Sequence, residues 1–290
     1  MTEAPRSKSA AKGERPPLPE PLAVPVADSH CHIDIGYDDQ WLEVGEAQAL
    51  AASAGVDRIV QIGVDVPSSQ WSVDAANRYP RILACVALHP NEAPRIVERE
   101  GEAGLEEALT RIEELARDPR VRGLGETGLD FFRTTEPAEQ RWQEYSFRRH
   151  IAMARSLGKA VVVHDRDAHD DIVRVLLDEG VQQVVFHCFS GDESLARIAA
   201  QHGWYCSFAG TLTFKNAANL RAAVSLLPQE LLLVETDAPF LAPVPHRGQP
   251  NASYLIPHTM RAMAEVRGAD IDALCAAVSA NSERVFGAFA

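Results

Sequence analysis

The chain has 290 residues, 46% of them apolar and 24% charged, with a net charge of −13. That composition is ordinary for a soluble globular protein, and the length suits one large α/β barrel or two smaller domains. The acidic balance argues against a protein that coats nucleic acid through a broad basic face. No apolar run approaches the roughly 18 residues of a membrane helix, and residues 1–27 lack the apolar stretch of a secretory signal.

In chain order, the first segment stands apart. It holds Pro5, Pro16, Pro17, Pro19, Pro21 and Pro25 with little apolar content. This predicts a disordered Pro-rich tail over 1–22 and a single barrel domain over 23–290. Short, nearly continuous apolar runs then predict eight strands at 24–30, 58–63, 82–88, 121–126, 160–164, 183–187, 204–208 and 231–235. Such runs suit parallel strands covered on both faces. Amphipathic stretches between them predict helices at 40–54, 67–79, 101–117, 136–157, 168–179, 191–202, 215–226 and 257–267. Breakers fall where these should stop, among them Gly55, Gly158, Gly180, Gly203 and Gly268. Residues 270–288 read as closing helix. Eight strand–helix repeats predict a (β/α)8 TIM barrel of the amidohydrolase-like kind, with a doubly wound open sheet as runner-up. Cys31, Cys85, Cys188, Cys206 and Cys275 form no Cys-x-x-Cys pair and read as reduced thiols in a cytoplasmic protein.

The His and acidic residues fall in a pattern on this map. His30 and His32 end strand one, two residues apart and so on one side of extended backbone. Glu126 ends strand four, His164 strand five and His187 strand six, while Asp237 follows strand eight. In a barrel, these carboxyl ends form the face that carries the active site. Six such groups on one rim exceed the set for a single zinc ion, so two divalent ions sharing a carboxylate fit better. Imidazole with carboxylate suits Zn, Mn, Fe, Co or Ni, and Mg less well. Two ions bring positive charge to an acidic protein and so admit an anionic substrate.

The motifs SHCHID at 29–34, GETGLDFFR at 125–133, VHDRDA at 163–168, FHCFSG at 186–191, AGTLTFKNA at 209–217 and ETDAPFLAP at 235–243 resemble those of the TatD family of metal-dependent hydrolases. The resemblance implies a divalent-metal-dependent deoxyribonuclease that trims single-stranded or damaged DNA from the 3′ end, using Mg, Mn or Zn. It implies that His30, His32 and Asp237 hold one metal, that His164 and His187 hold the other, and that Glu126 bridges them. Asp237 would also act as general base. Arg133 and Arg166 are marked as phosphate-side candidates, or else are solvated rim charges. Asp130 either orients a ligand or caps a loop. His89, after strand three, is a phosphate contact or a structural His. Phe214 and Lys215 form a stacking and phosphate pair, or else a core ring and a surface Lys.

The loop after strand eight departs from the family pattern Arg-Gly-x-Arg-Asn-Glu-Pro. Arg247, Gly248 and Asn251 match, whereas Ala252 and Ser253 replace Glu and Pro. The departure lies beside the site and bears on substrate preference. An alternative function is a related barrel metallohydrolase that cleaves an amide, lactone or acyl ester. Barrel enzymes of that type often carry a carboxylated Lys at the end of strand four, where this chain has Glu126. Neither a membrane nor an obligate protein partner is expected.

Overall fold

The computed structural model describes residues 6–7, 14–36 and 41–289. Its centre is an eight-stranded parallel sheet: β1 (Val26–Cys31), β2 (Val56–Ile62), β3 (Ile82–Val86), β4 (Val121–Asp130), β5 (Ala160–Arg166), β6 (Val184–Phe186), β7 (Tyr205–Phe208) and β8 (Leu232–Val234). Each strand pairs with its sequence neighbour. Between them run α1 (Val44–Ser53), α2 (Val66–Arg78), α3 (Glu92–Ala116), α4 (Pro137–Leu157), α5 (His169–Glu179), α6 (Glu193–His202) and α7 (Ala218–Leu226). Helices α8 (Ile256–Arg267) and α9 (Ile271–Phe286) follow β8. The chain therefore folds as the TIM barrel expected, and the open sheet is set aside.

Strand periodicity sorts the core into two parts. Ala27, Val60, Ile62, Leu83, Cys85, Ala160, Val162, Val185, Tyr205 and Leu233 point into the barrel. Their neighbours, such as Ile59, Leu124, Val161, Phe186 and Phe208, pack outward with Ile112, Phe147, Ile151 and Leu176 of the helices. Val285, Phe286 and Phe289 join the inner cluster. They cross the amino ends of the strands, where Arg120 donates to the Phe289 carbonyl at 2.7 Å.

Closure is local. β8 and β1 share no regular ladder. Instead the segment after β8 meets β1 at its carboxyl end. Asp237 N–H donates to the His30 carbonyl at 2.9 Å, and His32 N–H donates to the Ala238 carbonyl at 2.7 Å. Below these, Asp28 accepts from the backbone and hydroxyl of Thr236. The barrel is thus joined through the residues that flank its candidate ligands.

Two expectations are revised. The tail read as disordered through Leu22 is docked over 14–22. The Tyr254 hydroxyl donates to the Pro16 carbonyl, Leu22 N–H donates to the Ala54 carbonyl, and the Leu22 side chain is buried. Gly55, at φ 81°, leaves room for this, since a Cβ there would strike the Leu22 carbonyl. Proline-rich chain has little entropy to lose, so a few such contacts suffice to hold it. The remaining tail residues 1–5 and 8–13 lie outside the described residues. The second revision concerns α3, which begins nine residues earlier than expected, at Glu92, and kinks at Gly101, φ 73°. The apolar pattern before Gly101 is too short to stand out from its loop.

Candidate metal centre

The candidate ligands are aimed by the carboxyl ends of the strands. β1 loses regular register between Asp28 and Cys31. Ser29 still points inward, meeting Ser207 across the barrel at 2.8 Å. After the irregularity Cys31 packs outward, and His30 and His32 both reach the centre. β4 also shifts register between Leu124 and Thr127, the stretch that carries Glu126. Gly128 then lies against β5 at φ 138°, where any Cβ would collide with the His164 carbonyl oxygen. Only glycine lets the two strands approach so closely. Asp237 sits at φ 52°, a left-handed conformation that Asp tolerates better than most residues. Such strain is typical of functional positions.

These side chains converge on Glu126. Its Oε2 is 3.5 Å from His30 Nε2 and 3.6 Å from His32 Nε2. Its Oε1 is 2.7 Å from His164 Nδ1 and 3.1 Å from His187 Nε2. Asp237 Oδ1 lies 3.5 Å from His32 Nε2 and 3.8 Å from His30 Nε2. Donor atoms of His30, His32 and Glu126 lie within 4.8 Å of one another, as do those of Glu126, His164 and His187, and those of His30, His187 and Asp237. The six expected residues are therefore together, with one carboxylate between two His pairs.

The donor set fits divalent cations, and the buried polar atoms support this. His30 is fully buried, and neither ring nitrogen has a hydrogen-bond partner. Its ring stacks on that of His187, with centroids 3.8 Å apart and an interplanar angle of 13°. Two unpartnered nitrogens in such a place are costly unless an ion takes one of them.

The charges agree. Glu126 is held well below the usual carboxyl range: burial pushes it up, but the charges of His187 and His89 and hydrogen bonds from His164 and His187 reverse this. Asp237 is also lowered, with burial outweighed by its hydrogen bond to His32 and by the His charges around it. Burial lowers His30, whereas His187, despite burial, is raised by Glu126 and Glu235. Ion binding would expel the His187 proton, so affinity should fall with acidification.

Most of these imidazoles are held from behind. His32 Nδ1–H donates to the Ile62 carbonyl at 3.2 Å, leaving Nε2 free to coordinate. Glu235 is fully buried and accepts from the Cys188 N–H at 2.8 Å and from His187 Nδ1 at 3.3 Å. Asp130 Oδ2 lies 3.4 Å from His164 Nε2 and accepts from Asn91, while its Oδ1 accepts from the Arg133 N–H. Asp130 thus caps its loop and places its carboxylate beside the candidate ligand His164. Gln143 and Thr134 complete this buried network through Asn91. Such carboxylate–imidazole contacts fix ring orientation and raise ligand basicity. Sequence reading assigned no role to Glu235, Asn91 or Gln143. Only the placement of Glu235 two residues before Asp237 could have drawn attention to it.

The expected substrate contacts are less uniform. His89 Nδ1 accepts from the Asn91 N–H at 3.1 Å, so its proton sits on Nε2, 3.4 Å from Glu126 Oε1. Burial lowers its pKa, with the Glu126 charge opposing the shift. Arg166 lies over the Phe132 ring, 3.9 Å from Cζ to centroid. Arg133 is largely exposed, with Nε 3.8 Å from Asp130 Oδ2. Lys215 is exposed, and its carbonyl accepts from Arg221. Phe214 packs against the core and lies under Arg247, 4.5 Å from Cζ to centroid, where Thr213 Oγ1 accepts from the Val244 N–H and brings the two loops together. In that same loop Asn251 donates to the Thr236 and Phe240 carbonyls and so braces Asp237 from both sides.

Comparison with known proteins fits this centre. Residues 27–287 match the family described as "TatD related DNase". The chain belongs to the TatD family. Among TatD-family relatives, the "Uncharacterized metal-dependent hydrolase TatD" of Mycobacterium tuberculosis is 38% identical over 266 residues, covering 90% of this chain and 98% of that protein. The "Uncharacterized metal-dependent hydrolase YcfH" of Escherichia coli K12 is 34% identical, covering 90% and 95%. The crystal structure of YjjV, a TatD homologue from Escherichia coli K12, superposes with a TM-score of 0.81 at 25% identity, covering 91% and 98%. This TatD-family chain is therefore a metal-dependent hydrolase. No helix among the described residues is long and apolar enough to cross a membrane.

Proposed function

We propose that the protein is a two-metal phosphodiesterase that removes nucleotides from single-stranded or damaged DNA, working 3′ to 5′. The observation that carries this reading is Glu126 lying between His30 with His32 on one side and His164 with His187 on the other. His30, His32 and Asp237 would hold one ion and His164 and His187 the second, with Glu126 shared. Bound divalent ions polarise a water and the phosphoryl oxygens and offset negative charge.

The protein's own groups supply the rest. Asp237 is ionised, faces the centre and accepts the proton of the attacking water. The Nε2–H of His89 donates to a phosphoryl or leaving oxygen. Arg166 neutralises the strand on the β5 side, and Arg133 extends that charge outward. Lys215 is retained only as an outer phosphate contact. All five cysteines are free thiols, which fits a cytoplasmic location.

The test uses single-stranded DNA labelled at either end, with chelated protein and Mg, Mn or Zn restored. Stepwise loss from the 3′ end is expected. Asp237→Asn should lower kcat by about 10²–10⁴-fold, the usual worth of a positioned base. Absence of cleavage with every metal, from protein that still binds metal, would move the assignment to an amide, lactone or acyl ester.

A further inference from the structure

Phe132 is 58% exposed, more than any other large apolar side chain among the described residues. Its neighbour Phe131 packs on the core. A single exposed ring is unremarkable in itself; its surroundings distinguish this one. Phe132 follows the carboxyl end of β4, on the face that carries the metal centre. On β5, Ala160 and Val162 point into the barrel and His164 reaches Glu126. Arg166 continues that row by the strand period. No carboxylate among the described residues pairs with Arg166. Its guanidinium rests instead on the Phe132 ring at 3.9 Å. A cation placed on an aromatic face keeps its charge available and holds the ring in position.

We propose that Phe132 and Arg166 form a stacking step for one unpaired nucleobase beside the scissile phosphate. The guanidinium meets the backbone, and the open ring face takes the base. This rests on the phosphodiesterase reading and narrows its substrate. A base inside a duplex has both faces covered by its neighbours, so a ring can stack only on an unpaired or terminal base. Stacking of this kind tolerates any sequence, since every base has a π face. Arg247 over Phe214 repeats the pairing on the far side of the mouth, but Phe214 is packed against the core and its ring is less available.

The experiment measures KM and kcat for wild type, Phe132→Leu and Phe132→Tyr with a metal-restored single-stranded oligonucleotide. The same oligonucleotide is also made with one abasic residue, moved through successive positions near the cleaved end. For wild type, an abasic residue at one position should raise KM about tenfold, the usual scale of one stacked base. Phe132→Leu should raise KM on the intact strand by a similar factor, with the loss in KM rather than kcat. It should be indifferent to the abasic residue, and Phe132→Tyr should restore both the KM and the sensitivity. Equal KM for Leu and Phe, or unchanged abasic sensitivity in Phe132→Leu, would overturn the stacking step while leaving the phosphodiesterase standing. Failure of wild type to cleave any strand would overturn both.

Discussion

Glu235 has its carboxylate wholly buried, with one oxygen accepting from His187 and the Cys188 backbone and the other unpartnered. It sets which nitrogen of His187 keeps a proton and leaves Nε2 toward Glu126. Glu235→Gln keeps the shape and an acceptor for Cys188 but removes the charge. Metal affinity should fall about 10–100-fold, the usual cost of losing such a contact. Titration against a chromophoric chelator would measure this, with circular dichroism unchanged. The ligands themselves were legible in the sequence because His30, His32, Glu126, His164, His187 and Asp237 each fall at or just beyond the end of an apolar run. Glu235 was not, because nothing local says which side chain His187 will meet. The same holds for Phe214. The packing of two distant loops places its ring under Arg247.

At the scale of elements, the link between α4 and the end of β3 stands out. His150 is fully buried, donates from Nδ1 to the Ser146 carbonyl at 2.7 Å, and accepts the Leu88 N–H on Nε2 at 3.1 Å. This fixes the backbone just before His89. Such an arrangement requires neutral imidazole, and burial pushes the His150 pKa down to about 4. Between that value and the roughly 6.5 of an unfolded His, the unfolded chain binds more protons. Stability from this group is therefore complete above the unfolded pKa and is lost as pH falls toward 4. The shift corresponds to about 3 kcal/mol. Urea unfolding of chelated protein at pH 7.5 and pH 5 should show a steeper acid loss for wild type than for His150→Gln, whose amide oxygen can still accept from Leu88. Equal slopes would mean that His150 does not carry the effect. Most element boundaries were readable for similar local reasons: Gly158, Gly180, Gly203 and Gly268 end α4, α5, α6 and α8 in the left-handed conformation. The early start of α3 was hidden because Gly101 interrupts its pattern.

The whole barrel is drawn together at its mouth. Candidate ligands come from β1, β4, β5, the residue after β6 and the segment after β8, and that last segment also closes the sheet onto β1. Metal binding and closure should therefore be coupled. An ion that binds only the folded state at a hundredfold above its Kd adds about 2.7 kcal/mol. Chelation should accordingly lower Tm by several degrees, and restored metal should reverse it, as followed by calorimetry. Asp237→Ala should reduce that metal-dependent gain, because it removes a ligand on the closing segment. A Tm indifferent to chelation in a protein that binds metal would separate the two.

The sequence by itself determined the alternation of strand and helix, the parallel sheet, and the set of His and acidic residues at the strand ends. These follow from periodicity and breakers, which act over a few residues. The tertiary structure alone decided how β8 returns to β1, the docking of residues 14–22, and the pairings His187–Glu235, His164–Asp130, Phe132–Arg166 and Phe214–Arg247. Each joins side chains from separate strands or loops. Such contacts depend on barrel closure and loop packing, which no local pattern encodes.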